Sequence, residues 1–351
     1  MTGSQTRGVA PSKHSSMLTK DYFRSHSRGI DDNTFEQRWR GAMQSPLRFM
    51  RSFVEGYYAY AKKIGYPGKI GICFGDSHPE NYGFVLFGKK DVEYVYNDLD
   101  DSGYCPLSLD AARYFTALAL YDEKFLDKAI EDYLEELDSP HKASKVESPS
   151  FKKLRKELIK DYTAKHRFLD SNELAGISED KAIEISSALN KKFPGRYKIY
   201  DIKKSVGKGG GSLGLTRYWV LTEDKVLGKD DIVEFKRLAD PATAVGNWGK
   251  DDGPRPEWLS KTFWKKEPSL LTSTELEGHR YLIRSRVKHA ISLGKLSKSE
   301  KKELFKTQVR IMARHHKSQG LTSSEMEDWL KNQVLTYAAD FSYAYNIEID
   351  R

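Results

Sequence analysis

Cysteine is nearly absent from this chain. Only Cys73 and Cys105 occur among 351 residues, too few for the disulfide framework of a small secreted domain. Neither lies in a Cys-x-x-Cys or His-rich context. Both read as separate buried apolar residues, with a reducing cytoplasm as the default compartment. Long apolar runs are missing too: none approaches the ~20 residues needed to span a bilayer, so no membrane partner is expected. Met1 to Ser16 is polar, lacks the apolar core of a secretory signal, and reads as a frayed tail. There is no internal repeat, no low-complexity tract and no recognisable nucleic-acid module. A nucleic-acid partner is therefore disfavoured despite the net charge of +8.

What remains is a chain of globular composition, 38% hydrophobic and 31% charged. It is long enough for two lobes, each with its own core. The positive balance suits anionic ligands such as nucleotide phosphates. Oligomeric state is not legible.

Ser45 is placed as an N-cap with Pro46 at the first helical position. Leu47, Met50, Val54, Tyr57 and Tyr58 recur at helical spacing to about Lys63, where Gly65-Tyr66-Pro67-Gly68 stops the run. Lys69 to Phe74 reads as a short strand. Tyr82 to Phe87 and Val92 to Tyr96 alternate as two strands around a Gly88-Lys89-Lys90-Asp91 turn. Leu107 to about Leu137 reads as helix, as do 151–169 and 179–191. From Tyr197 the character turns to strand, notably Tyr218 to Thr222 and Ile232 to Leu238. Residues 239–271 look irregular. Helix is expected again near Ser273 and from about Ser297 to the end.

The most informative stretch is Gly75-Asp76-Ser77-His78-Pro79-Glu80-Asn81, followed by Tyr96-Asn97-Asp98-Leu99-Asp100. An Asp and an Asn five residues apart, on a loop that leaves a strand, supply a base and a Mg²⁺ ligand, the D-x-x-x-x-N pattern of phosphoryl transfer. Asp76 is the candidate catalytic group, accepting or orienting the proton of an attacking hydroxyl. Asn81 and Asp98 are candidate Mg²⁺ ligands, with Asp100 as a second-metal or supporting group. His78 is either a reactive-site group or a loop histidine that fixes the backbone. Asp110 caps its helix or braces the loop. Arg48 and Arg51 hold an acidic substrate or merely solvate the surface.

Gly209, Gly211 and Gly214 fit G-x-G-x-x-G with Ser212 as an added hydroxyl donor. Because Arg217 to Thr222 reads as strand, the loop sits between two strands, which suits a hairpin covering ATP phosphates better than a dinucleotide site. Lys236, on the next strand, is placed to hold the α/β-phosphates. Glu277, or Glu275 in another helix register, is the candidate partner for Lys236.

These residues resemble the loop H-G-D-x-H-x-x-N and the metal segment I-D-[FW] of aminoglycoside phosphotransferases and choline kinases, relatives of protein kinases. Phe74 replaces the first His. A closer resemblance is to a bacterial family, domain of unknown function 2252. Its ordered motifs S-P-F-x-F-x-R-G, G-D-x-H-x-x-N-F-G, N-D-F-D-E, a glycine-rich loop with a lysine strand, and V-x-E-G-Q-R have counterparts here. They are Ser45–Arg51, Gly75–Gly83, Asn97–Asp101, Gly209–Gly214 with Lys236, and Leu276–Arg280. The departures are Ser52, Tyr82, Leu99, Asp101 and His279.

The resemblance implies an α+β, protein-kinase-like two-lobe fold with circularly permuted motif order and a mostly helical catalytic lobe. The expected divisions are a polar extension at 1–37, catalytic-lobe elements at 38–195, a nucleotide-clamping lobe at 196–290, and returning helices at 291–351. The function expected is an ATP- and Mg²⁺-dependent phosphotransferase acting on a small-molecule hydroxyl or amine. The alternatives are a catalytically weak nucleotide-binding regulator or an AMP transferase.

Overall fold

The computed structural model describes residues 9–27, 30–66, 68–88, 91–140, 173–206, 213–249, 255–286 and 291–349. The helix expected at 151–169 lies outside them. The architecture is mixed α+β, with antiparallel sheets and two hydrophobic cores.

The larger core is helical. Its centre is the helix Leu107–Asp122, in which every residue from Leu107 to Leu120 is buried. A second helix, Leu126–Asp138, follows after one turn of 3-10 helix. Helices Lys20–His26, Asp32–Ala42, Pro46–Ser52 and Val54–Ile64 pack an aromatic cluster of Phe23, Trp39, Phe49 and Phe53. Ser45 does cap its helix, accepting from the Arg48 amide at 3.2 Å. The single helix expected through Lys63 breaks at Phe53. Two long helices, Lys298–Ser318 and Glu327–Ile349, complete the core; the first carries a Ser297/Glu300 capping box.

The supposed tail is partly built in. Ser12 gives both its amide and its hydroxyl to the Asp340 carboxylate, at 2.6 and 2.9 Å. Residues 9–16 are thus docked on the C-terminal helix, a long-range contact that local sequence does not signal.

Two small sheets lie on this core. β1 (Ile70–Cys73) pairs with β4 (Gly103–Pro106), and β2 (Tyr82–Leu86) pairs with β3 (Val92–Tyr96). β4 was not foreseen, and it corrects the reading of the cysteines. Antiparallel β1 and β4 bring Cys73 and Cys105 to a Cα separation of 5.8 Å, and the two form a disulfide. Both are buried, as expected, but they are one cross-link and not two independent apolar residues. No described helix is long and apolar enough to cross a membrane.

The smaller core lies under a six-stranded antiparallel sheet. Its strands are β5 (Leu174–Ala175), β6 (Tyr197–Ser205), β7 (Arg217–Asp224), β8 (Lys229–Arg237), β9 (Leu271–Leu276) and β10 (His279–Ser285), in spatial order β5-β6-β7-β8-β10-β9. Strand alternation sorts its residues. Tyr218, Val220, Val233, Phe235, Tyr281 and Ile283 pack on helix Glu179–Lys192 through Ile185 and Leu189. Glu234 and Lys236 alternate with Val233 and Phe235 and take the opposite face.

Two expectations in this half fail. Residues 239–271 are not irregular throughout, since Ala242–Gly246 is a 3-10 turn and Arg255–Trp264 a helix. That helix joins the halves: Glu257 accepts from Thr272 and Ser273 on β9, and Trp264 donates to the Tyr96 carbonyl at 2.9 Å. The helix expected near Ser273 is the β9–β10 hairpin. Its turn, Glu277-Gly278, has φ of +52° and +70°, the left-handed pair that a two-residue hairpin needs and that Gly supplies readily.

Candidate active site

The loop after β1 is fixed from below. Gly75 has φ +82°, and a Cβ there would lie 2.0 Å from the Asp101 carbonyl oxygen, so only glycine fits. The preceding backbone hangs on Asp110 of the central helix, which accepts from the amides of Phe74 (2.7 Å) and Gly75 (3.1 Å). His316 reaches the same carboxylate at 3.2 Å, and its other ring nitrogen meets Tyr133 Oη at 2.7 Å. Asp110 therefore braces the loop and does not cap the helix.

One helical turn beyond Asp110, Arg113 holds Asp76 itself. Its Nε and Nη2 donate to Asp76 Oδ1 at 3.2 and 2.6 Å, while Nη2 also meets the Met50 carbonyl and the guanidinium stacks on Tyr57. Asn81 Nδ2 donates to the Asp76 carbonyl at 2.9 Å and to Oδ2 at 3.1 Å. Burial alone would raise the Asp76 pKa. The cationic partners outweigh it and hold the carboxyl well below its usual range.

His78 accepts from the Glu80 amide at Nδ1 and so caps the Pro79–Asn81 turn. Its Nε2 accepts from Arg51 Nε at 3.2 Å and lies 3.4 Å from Asp76 Oδ2. Burial, then Arg51, pull the His78 pKa down to about 4. The ring is neutral at pH 7, and Arg113 is then the charge that keeps Asp76 ionised.

Opposite this loop stands Lys236, on the strand after the glycine-containing hairpin. Its ammonium is buried, 3.7 Å from Asp98 Oδ1 and in direct contact with Asp100. Arg284 lies 3.9 Å from Asp98 Oδ1 and donates to Glu234 at 3.0 Å. Burial opposes ionisation of Asp98, but Lys236 and Arg284 lower its pKa. Glu234, ringed by Arg284, Arg217 and Arg286, is brought down to about 2 against the effect of burial. Burial lowers the Lys236 pKa, with Asp98 pulling the other way.

Asp76, Asn81, Asp98, Asp100 and Lys236 therefore meet at one cleft. Glu277 does not join them. It sits half-exposed on the β9–β10 turn and pairs with Lys181, while Glu275 registers with Arg280. The expected Glu277–Lys236 pair rested on a helix that is a hairpin. Gly209, Gly211 and Ser212 lie outside the described residues. Gly214, φ +92°, packs against Ile30 and Thr34, and the adjacent Leu213 carbonyl accepts from Arg38 at 3.1 Å.

Sequence reasoning missed Arg113, Glu234, Arg284 and His316. Arg113 and Asp110 carried a signal: two charges three residues apart on one face of an otherwise apolar helix must be buried and paired. Arg284 and Glu234 carried none until β10 was placed beside β8.

Two cavities share this centre. One, about 370 Å³, runs between the β2–β3 hairpin and the sheet, with Val85, Leu86, Trp264 and Leu270 facing Arg217, Arg284 and Arg286. The other, about 490 Å³, lies between the N-terminal helices and Asp76, Asp100 and Lys236. Asn81 and Asp98 line both.

The donors suit a hard cation. Asp98, Asp100 and Asn81 offer oxygen, the Asn81 amide nitrogen is already spent on Asp76, and the buried Asp98 Oδ1 and Asp100 Oδ1 accept no hydrogen bond from the described residues. Carboxylates alone do not suffice: among the described residues no group of three or more His, Cys, Asp or Glu side chains is arranged around a metal position.

Residues 127–346 match the family described as an uncharacterized protein conserved in bacteria, domain of unknown function 2252, and the chain belongs to that family. The match contains Lys236 and the large sheet and begins after the Asp76 loop. No curated protein and no solved structure matches the chain.

Proposed function

We propose that the protein is an ATP- and Mg²⁺-dependent phosphotransferase of kinase-like, circularly permuted architecture. The observation that carries this reading is the convergence of Asp76, Asn81, Asp98, Asp100 and Lys236 at the junction of two cavities. Lys236 lies more than a hundred residues along the chain from the other four, and together they would supply the parts that phosphoryl transfer requires: a hydroxyl-orienting Asp, oxygen ligands for Mg²⁺, and a strand lysine after a glycine hairpin. A kinase has the lysine strand first. Here it follows the catalytic loop, as in a permuted chain whose original ends were joined at the surface.

In this account the base and ribose enter the cavity edged by Leu86, Trp264 and Leu270, and the phosphates extend past Asn81 toward Lys236. Asp98, Asp100 and Asn81 would hold Mg²⁺, which supplies charge neutralisation of the transferring phosphoryl group. Asp76 Oδ2 aligns the acceptor hydroxyl, while Arg113 keeps the other oxygen occupied and the carboxylate immobile. The acceptor oxygen forms its bond to the γ-phosphorus as the bond to the bridging oxygen breaks, and its proton passes to Asp76. A depressed pKa makes Asp76 a weak base, which suits a loose transition state in which the proton leaves late.

Asp76→Ala is expected to lower ADP release more than a hundredfold while sparing ATP affinity. Unchanged turnover would remove Asp76 from the mechanism. Mass spectrometry of the product separates phosphoryl from AMP transfer, since gain of a whole nucleotide would establish the latter. The direct contact of Lys236 with Asp100 favours one rival, a nucleotide-binding regulator with weak catalysis. That rival predicts tight ATP binding and unchanged cellular function in Asp76→Asn.

A further inference from the structure

A lysine-lined groove lies apart from the transfer centre. It forms where the 3-10 turn Glu123–Phe125 and the helix Leu126–Asp138 pack against the start of the helix Lys298–Ser318. Its volume is about 680 Å³. Lys124 and Lys128 line one side, and Lys298, Lys302 and Lys306 the other. The last three recur every fourth residue of one helix, so they form a row with steps of about 6 Å. Between the rows lie Ala129 and two aromatic rings, Phe125 and Phe305, packed edge to face at 5.1 Å.

The lysines outnumber their partners. Asp132 is the one acid in the lining, 2% exposed, and it is shared by Lys128 at 3.3 Å and Lys306 at 4.0 Å. Lys128 also pairs with Glu131 at 3.1 Å. Glu300, on the same turn as Lys298 and Lys302, closes the Ser297 capping box. Lys124, Lys298 and Lys302 have no carboxylate at ion-pair distance among the described residues. Like charges four residues apart oppose the helix that carries them. An anion between the rows relieves that repulsion and meets a positive potential focused by the groove.

Shape and spacing select the anion. The apolar floor is recessed, with Phe125 8% and Phe305 2% exposed. No ring projects to enter a bilayer or to stack on an unpaired base. A flat membrane meets only the rims. An extended polypeptide repeats each face about every 6.6 Å, close to the lysine step. Its alternate carboxylates meet successive lysines, whose long stems reach up from the rims. The residues between turn apolar side chains to the floor. Lysine offers point charges on flexible stems, which suits a row of carboxylates without demanding a fixed fork geometry.

We propose that this groove docks an extended acidic segment of a partner protein, in which Asp or Glu alternates with apolar residues. The proposal does not depend on the phosphotransferase reading.

The test titrates the full chain into a short fluorescein-labelled peptide of alternating glutamate and leucine and follows fluorescence anisotropy. Binding is expected at low salt and should weaken as salt rises. The double variant Lys298→Glu, Lys302→Glu should bind about tenfold or more weakly. Both lysines are exposed and unpaired, so the variant should melt as the wild type does. A peptide with serine in place of leucine should bind at least about fivefold more weakly, because it leaves the floor uncovered. No binding at low salt, or equal binding by the variant, overturns the proposal. Equal binding of the serine peptide overturns the alternating pattern. Duplex DNA, or vesicles of phosphatidylserine and phosphatidylcholine, binding more tightly than the peptide and losing that binding in the variant would give the groove to nucleic acid or lipid instead.

Discussion

The two walls of the cleft hold their charges in different ways. On the loop wall, Asp76 is surrounded by Arg113, Asn81 and His78, and the loop beneath it hangs on Asp110 and His316. On the sheet wall, Lys236 meets Asp98 and Asp100, and Arg284 meets Asp98, through ion pairs, and Asp98 Oδ1 and both Asp100 carboxylate oxygens lack hydrogen bonds from the described residues. The first wall is set before any ligand arrives, as positioning catalysis demands. In the proposed function the second would exchange partners: Asp98 and Asp100, now neutralised by the lysine, would hold the metal ion, and Lys236 would be free for phosphate. On the proposed function, rigidity would lie where the proton moves, and adaptability where charge is bound.

The contrast breaks first at Arg113. Arg113→Ala removes the ion-pair partner of a largely buried carboxylate, and we expect a loss of about 3–5 kcal/mol in urea unfolding. A loss below ~1 kcal/mol would mean that the loop wall is not held by that pair. Cys105→Ser, which opens the cross-link at the base of the same loop, should cost about 2–4 kcal/mol.

Lys236→Met probes the other wall. It should cost only about 1–3 kcal/mol, because Asp98 is partly exposed and both acids can take up protons. Mg²⁺ should then raise the melting temperature of this variant more than that of the wild type. An equal response would show that lysine and metal do not share those oxygens.

Asp101 sharpens the comparison through pH. Its pKa is raised to about 7 in the folded protein from ~3.9 unfolded, so the native state holds the extra proton between those values. Stability therefore falls as pH rises from about 4 to about 7, and Asp101→Asn should remove this part of the slope in unfolding curves taken across the window. Asp76 has the opposite sign: its lowered pKa contributes stability above the unfolded value, lost only in strong acid. The smallest effect is expected at Glu277→Gln, under ~0.5 kcal/mol with turnover unchanged, because an exposed ion pair adds little.

Much of this site was legible in the sequence for a local reason. Asp76, Asn81 and Asp98 sit on a strand, a loop and a hairpin whose alternation and turns are written within thirty residues. Lys236 was readable because β8 alternates cleanly. What could not be read depended on pairing across distance. Glu277 was misassigned because Leu276-Glu277-Gly278 suits a helix or a turn, and only the pairing of β9 with β10 decides between them. The disulfide waited on the unforeseen β4, and Arg284 on the placement of β10 beside β8. The docking of Ser12 on Asp340 spans 328 residues and leaves no trace in either segment.

The most direct test of the central claim is calorimetric titration of ATP, with and without Mg²⁺, into the wild type and Asp98→Ala. The account predicts binding that requires Mg²⁺ and weakens at least about tenfold in the variant. ATP that fails to bind in any condition, or that binds Asp98→Ala as tightly as the wild type, would contradict it.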